Sequence, residues 1–206
     1  MGRPCERLTD SRPCTGDDDD SVFQFHAGDT TAAKRSAASH GRRAIRGYRV
    51  GVTEADPYLT RAFSLATEAR AEGNHPFGAL LVIDGVIVAE ARNAVNTTSD
   101  ITAHAETVLV RQLEHSGQLH LLGQGVVYAS CEPCPMCVGA LFWAGARDVA
   151  FGLSARRLNA IANDETSVFG FTITAQEIGT NAIPPMRFVG PSREDEAARP
   201  HEGYWG

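Results

Sequence analysis

Residues 78–91, GALLVIDGVIVAEA, consist of two short apolar runs joined at Asp84-Gly85. An Asp-Gly pair between apolar runs is a strong β-hairpin signal, because both residues tolerate the positive φ of a tight turn. The runs Gly78–Ile83 and Val86–Ala91 are therefore predicted to be neighbouring strands. Neither run is long enough to cross a bilayer.

A helix is predicted directly before this hairpin. Asp56 is a good N-cap residue, and Pro57 suits the first helical position. Apolar residues then recur at every third or fourth position up to Ala69, and Gly73 ends the pattern. The helix therefore presents one apolar face for packing.

Helices and apolar strands alternate after the hairpin, which predicts an α/β sandwich. The predicted helices are Ile101–His115, Cys134–Ala144, Ser154–Ala162 and Ser192–Ala198, and the predicted strands are Val126–Ala129, Asp148–Leu153, Phe171–Thr174 and Arg187–Val189.

Residues 1–52 differ from the rest of the chain in composition. They contain the acidic run Asp17–Asp20, scattered arginines and many Gly, Ser and Thr residues, with no sustained apolar period. Such a segment buries too little apolar surface to become ordered, so we expect a disordered N-terminal extension. A regulatory or partner-binding arm is the alternative. Residues 53–206 are expected to form one domain.

The distribution of charges and cysteines argues against a nucleic-acid-binding protein and against a disulfide-rich secreted protein. Residues 53–206 carry ten basic and eighteen acidic side chains, and such a surface repels phosphate backbones. A nucleic-acid partner is therefore not expected. Three of the five cysteines lie within residues 131–137, unlike the spread cysteines of a disulfide framework. With no apolar signal segment visible, we expect a cytoplasmic protein without a membrane partner.

Two short motifs carry the candidate chemistry: TAHAE at residues 102–106 and CEPCPMC at residues 131–137. An H-x-E motif followed by P-C-x-x-C is the signature of zinc deaminases. Cys134 and Cys137 share one face of a predicted helix start, where the helix dipole favours thiolates. Together with His104 they offer three ligands to one Zn²⁺ and leave the fourth position to water.

Glu106 is the candidate catalytic residue. It is predicted to take a proton from that water and to deliver it to the substrate ring nitrogen and the departing amine. Taken alone, the C-x-x-C pair is also compatible with a redox site or half of a structural zinc site. An iron–sulfur cluster that included Cys131 would need a fourth cysteine, and none follows Cys137.

Residues from about 57 to 151 resemble the cytidine deaminase superfamily, most closely its bacterial guanine deaminase branch. The resemblance is carried by HPFGA at 75–79, Asn93 with NTTSDITAHAE at 96–106, SCEPCPMC at 130–137 and FWA at 142–144. It implies a three-layer α/β/α sandwich around a central mixed five-stranded sheet. It also implies a homodimer that releases ammonia from a free nucleobase or nucleoside, converting guanine to xanthine in this branch.

The resemblance also implies substrate contacts. Asn93 would hydrogen-bond the substrate ring, and Phe77 and Ala105 would line the base pocket. The alternatives are a turn asparagine at the end of a strand and an ordinary core aromatic. Asp164 and Glu165 fall near the place of a second proton shuttle.

The C-terminal segment contains two further candidates, Tyr204 and Trp205. In similar enzymes the C-terminal segment closes over the bound base, and a flexible end is the alternative reading. The same motifs would serve a tRNA adenosine (A-to-I) deaminase or a cytosine or pterin deaminase. A zinc scaffold without catalysis is less consistent with a glutamate beside an open coordination position.

Overall fold

A computed structural model describes residues 56–162 and 170–205. The expected N-terminal extension, residues 1–52, lies outside the described residues. The helices are α1 (Pro57–Ala71), α2 (Val95–Thr98), α3 (Ala105–His115), α4 (Pro135–Trp143), α5 (Ala155–Ala162), α6 (Ala175–Thr180) and α7 (Glu194–Ala198), with 3₁₀ turns at Leu119–Gln124 and Arg199–His201. The strands are β1 (Gly78–Ile83), β2 (Val86–Arg92), β3 (Val126–Cys131), β4 (Asp148–Leu153) and β5 (Arg187–Val189).

The strands form one mixed sheet in the order β2-β1-β3-β4-β5. β1 pairs antiparallel with both β2 and β3, and the β3-β4 and β4-β5 pairs are parallel. The Asp84-Gly85 turn joins β1 and β2 as predicted, and both residues have positive φ. The mixed five-stranded sheet of the sequence-based prediction is thereby confirmed.

Two apolar cores lie on opposite faces of the sheet, because successive residues of a strand point to opposite sides. In β1, Leu80 belongs to the core that includes α1 and α7, whereas Leu81 belongs to the core that includes α3 and α4. In β3, Tyr128 belongs to the core with α1 and α7, and Val127 belongs to the core with α3 and α4. Helices therefore cover both faces, which gives the three layers.

Helix α1 begins as predicted at the Asp56 cap. The Asp56 carboxylate accepts hydrogen bonds from the backbone N–H groups of Tyr58 and Leu59, at 2.9 and 3.3 Å. The helix then packs closely on the start of β1: a Cβ at Gly78 would lie 2.4 Å from Leu65 Cβ. Only glycine allows this approach, and it fixes the position of Phe77, the preceding residue. No helix of the described residues is long and apolar enough to span a membrane.

Two predicted elements differ from the structure. The helix expected at Ile101 begins at Ala105, because the Asp100 carboxylate binds the N–H and the hydroxyl of Thr102 and holds a turn. Residues 171–174 are not a strand. Thr174 instead caps α6, accepting from the Glu177 N–H at 3.1 Å in a capping box.

Candidate active site

The two sequence motifs meet where α3 and α4 begin. The Nδ1 atom of His104 lies 3.6 Å from the sulfur of Cys134 and 3.6 Å from that of Cys137. The two sulfurs are also 3.6 Å apart. Three potential metal donors therefore form a nearly equilateral triangle.

The starts of two helices place these donors. His104 is the N-cap residue of α3 and Cys134 is the N-cap residue of α4, each with extended backbone angles. Cys137 lies in the first turn of α4, directly above Cys134. The partial positive charge at a helix N-terminus stabilises a thiolate. Two helix starts thus converge on one small volume.

The triangle fits a zinc ion. Zn–S bonds of about 2.3 Å and a Zn–N bond of about 2.0 Å in tetrahedral geometry separate the donor atoms by about 3.5–3.8 Å. The observed separations of 3.6 Å match that range. Two sulfurs and one imidazole are also the donors that zinc accepts in catalytic sites with three protein ligands.

Protonation of the two thiols differs in the absence of bound metal. The hydrogen bond between the two sulfurs, and then that with His104, lower the pKa of Cys134 to about 4. That same Cys137–Cys134 hydrogen bond, together with burial, raises the pKa of Cys137. A metal that takes both sulfurs as thiolates must therefore displace the Cys137 proton.

Glu106 lies beside the donor triangle without belonging to it. Its side chain is 7% exposed, and its Oε2 accepts a hydrogen bond from the Cys137 thiol at 3.4 Å. Burial raises the pKa of Glu106 above its ordinary value. A buried carboxyl group with a raised pKa is suited to both taking and giving a proton near neutral pH. Ala105, between His104 and Glu106, is fully buried.

Asn93 follows β2 and is fully buried. Its backbone N–H donates to the carbonyl of Phe77 at 3.0 Å, and its side-chain oxygen accepts from the N–H of Val95 at 3.0 Å. Its side-chain Nδ2 has no hydrogen-bond partner among the described residues. A buried amide donor without an acceptor is costly, which marks Nδ2 as available to a ligand.

Aromatic side chains of the C-terminal segment pack around Phe77 and His75. The Trp205 ring lies 5.5 Å from His75 and 6.2 Å from Phe77, and the Tyr204 ring lies 6.1 Å from His75. Burial, and then the charge of His104, lower the pKa of His75. The segment therefore packs against the residues that directly precede β1.

Three supporting residues were not identified from the sequence. Arg70 donates a hydrogen bond to the backbone of the C-terminal segment, and His201 is the buried side chain of that segment. Arg70 and this segment are distant in the sequence, so no local pattern indicated their contact. Glu132 lies inside the cysteine motif, and its carboxylate accepts from the N–H groups of Ala155 and Ala175 at 3.0 and 2.9 Å. Its place in the motif was a signal that it helps to position the site.

Of the sequence-predicted site residues, the structure brings His104, Glu106, Cys134 and Cys137 into contact with one another. Asn93 and Phe77 are joined through their backbones. Asp164 and Glu165, named as candidate proton shuttles, lie outside the described residues.

The chain is similar in sequence to known proteins. The sequence profile of the cytidine and deoxycytidylate deaminase zinc-binding region matches residues 52–153. A probable cytosine deaminase of Schizosaccharomyces pombe is 38% identical over 149 residues, covering 72% of this chain and 90% of that protein. Guanine deaminase of Bacillus subtilis is 43% identical over 97 residues, covering 47% of this chain and 62% of that enzyme.

A solved structure from work on A-to-I editing by tRNA:A34 deaminases has the same fold. It is 26% identical with a TM-score of 0.55, and the match covers 70% of this chain and 98% of that one. The donor triangle, the profile match and the long alignment with the S. pombe protein agree. The chain therefore belongs to the cytidine and deoxycytidylate deaminase family, whose members are zinc-binding hydrolases of carbon–nitrogen bonds.

Proposed function

We propose that this protein hydrolyses the exocyclic amino group of a free nucleobase and releases ammonia, with guanine converted to xanthine. The observation that carries the proposal is the position of a buried carboxyl group beside three metal donors, 3.4 Å from one of the two sulfurs. A metal held by these three residues would have an acid–base group beside it and would keep one ligand position for water.

His104, Cys134 and Cys137 would hold the zinc ion. When bound, zinc makes a water molecule acidic near neutral pH, which provides the nucleophile for hydrolysis. Glu106 takes the proton from the attacking water and passes it to the substrate ring nitrogen. Glu106 then helps to protonate the leaving amine, so that water and amino-heterocycle become oxo-heterocycle and ammonia.

Asn93 orients the substrate in this proposal. The buried Nδ2 donor is offered to an acceptor on the heterocycle, while the Oδ1 atom is held by the N–H of Val95. A group that is fixed at one end and free at the other holds a ligand in one orientation. Phe77 and Ala105 would form apolar walls of the base pocket.

Two observations favour a free base over tRNA. The identity to guanine deaminase of Bacillus subtilis is 43% over 97 residues, against 35% over 101 residues to the tRNA-specific adenosine deaminase of the same organism. The excess of acidic side chains in residues 53–206 also opposes binding of a phosphate backbone.

Cytosine is the second candidate substrate. The S. pombe relative, a probable cytosine deaminase, aligns over 149 residues, whereas the alignment with guanine deaminase covers 97. The similarity to the S. pombe protein therefore includes more residues outside the zinc motifs than the similarity to guanine deaminase does.

Ammonia release from guanine, guanosine, cytosine, adenine and a pterin, and then from tRNA, tests the proposal with zinc-loaded protein. Release from guanine is the expected result. Release from cytosine alone would replace guanine with the second candidate, and release from tRNA alone would overturn the free-base proposal. A zinc-loaded protein that is inactive on the whole panel would support the scaffold alternative.

A further inference from the structure

His201 is a buried hydrogen-bond donor that the proposed reaction does not yet use. Its side chain is fully buried in the 3₁₀ turn near the C-terminus. Its Nε2 atom has no partner among the described residues, and the only other buried side-chain atom in that state is Asn93 Nδ2. Leaving such a donor unsatisfied destabilises the folded chain, so a buried donor in this state is a candidate for binding a ligand.

The tautomer of His201 is set by Trp205. The indole N–H of Trp205 points to His201 Nδ1 at 3.3 Å. An indole nitrogen can only donate, so Nδ1 is the acceptor, and in the neutral ring the proton is on Nε2. Burial, and then the charge of Arg70, lower the pKa of His201 to about 4. The ring is therefore neutral at physiological pH and presents an N–H at Nε2.

The backbone around His201 is held on both sides. The guanidinium of Arg70 donates to the carbonyl of Pro200 at 2.8 Å and to that of Glu202 at 2.8 Å. The same group lies over the ring of Tyr204 at 5.7 Å. Helix α1 thereby fixes the turn that contains His201, and the side chain loses little freedom when it binds a ligand.

The position of His201 connects this donor with Asn93. The His201 ring lies 5.1 Å from the ring of Phe77, and the backbone carbonyl of Phe77 accepts from Asn93. The two residues with unpaired donors thus both contact Phe77, His201 through its ring and Asn93 through its backbone. Trp205, which sets the tautomer, also packs on His75, with the two ring centroids 5.5 Å apart.

We infer that His201 is a specificity-determining residue whose Nε2–H donates a hydrogen bond to the substrate. The inference rests on the proposed function. With Asn93 it requires an amino-heterocycle that carries two acceptors, each a carbonyl oxygen or an unprotonated ring nitrogen. A ring with N–H or C–H at the second position would leave the His201 donor unsatisfied and would be rejected.

The test compares His201→Phe, which keeps a ring but removes the donor, with His201→Gln, whose amide restores an N–H. His120→Phe, a change at an exposed histidine, is the control. For the base that the wild type deaminates, we expect His201→Phe to raise KM and the Kd of the oxo product about 10-fold with kcat little changed. His201→Gln should recover most of that affinity, and zinc content should be equal in all four proteins.

Trp205→Phe provides a second measurement that does not depend on packing a new residue at position 201. Long-range ¹H–¹⁵N spectra of the histidine side chains should show His201 as the Nε2–H tautomer in the wild type. Loss of the indole donor should mix the two tautomers and raise KM by a smaller factor.

Two results would overturn the role of His201 while leaving the deaminase proposal intact. One is a His201→Phe protein with wild-type KM and product Kd on a base that both proteins deaminate. The other is a His201→Gln protein that binds as weakly as His201→Phe at equal thermal stability. A wild type that neither deaminates nor binds any base on the panel would remove both proposals together.

Discussion

Glu106 combines burial, contact with a metal donor and a position outside the donor triangle. The Glu106→Gln variant keeps the shape of the side chain but cannot carry a proton. We expect kcat to fall at least about 100-fold, the lower end of general acid–base contributions, with zinc content unchanged. Metal analysis and steady-state kinetics measure both quantities.

Glu114→Gln, an exposed change on the same helix, is the matched control and should leave kcat unchanged. If Glu106→Gln retained its turnover, Glu106 would have no part in the proton transfer. Loss of zinc in this variant would instead make Glu106 a support of the metal ligands.

His201 also predicts a pH dependence of stability. Its pKa is about 4 in the folded chain, against an ordinary value of 6.5. Between these values the unfolded chain binds a proton that the folded chain does not, so stability falls as the pH falls from about 6.5 to about 4. The shift corresponds to about 3 kcal/mol. Above pH 6.5 the ring is neutral in both states and contributes no slope.

Urea unfolding at several pH values measures this dependence. Carboxyl groups add their own slope below pH 5, so the informative quantity is the difference between the wild type and His201→Phe. The wild type should lose more stability than the variant over this interval. Parallel curves would show that the folded chain protonates His201 as readily as the unfolded chain does.

At the scale of elements, Arg70 in α1 anchors the C-terminal segment through two carbonyls and the face of Tyr204. Arg70→Met keeps the aliphatic stem and removes all three contacts. We expect faster amide hydrogen exchange in residues 199–205 and a several-fold rise in KM, because His201 and Trp205 lose their fixed position.

Arg187→Met is the control for this change. This control change also removes an ion pair of an arginine, in this case with Asp148. That pair lies at the start of β4, away from the metal donors. The KM of Arg187→Met should equal that of the wild type. Unchanged exchange in residues 199–205 of Arg70→Met would mean that the aromatic packing alone holds the segment.

Local patterns predicted most elements, and the errors have local causes as well. The residues Thr174 to Glu177 have the pattern of a capping box, which predicts the start of α6. The apolar residues that precede Thr174 instead favoured a strand. The start of α3 was missed because Asp100 binds Thr102 and delays the helix. Competition between side-chain and backbone hydrogen bonds decides both cases.

At the scale of the whole molecule, the sheet and the donor triangle were predictable from strand patterning and motif spacing. The role of His201 was not, because its contact with Phe77 joins residues that no sequence period connects. The homodimer and the cytoplasmic location stay predictions. The fold thus follows from local signals, whereas the surroundings of the substrate depend on packing between distant segments.

Removal of zinc tests how the site and the fold depend on each other. The donors lie at the starts of α3 and α4, so one ion would tie two helices that cover the same face of the sheet. A ligand that binds only the folded chain stabilises it, and loss of the ion would leave the three donors joined only by weak sulfur hydrogen bonds. We expect a chelator to abolish activity and to lower the Tm, and added zinc to restore both.

The variant Cys137→Ser removes one metal donor and is the control for this experiment. Its Tm should no longer respond to the chelator. If the wild type kept its Tm after complete loss of the metal, the two helix starts would be held by the apolar core alone, and zinc would serve only the chemistry.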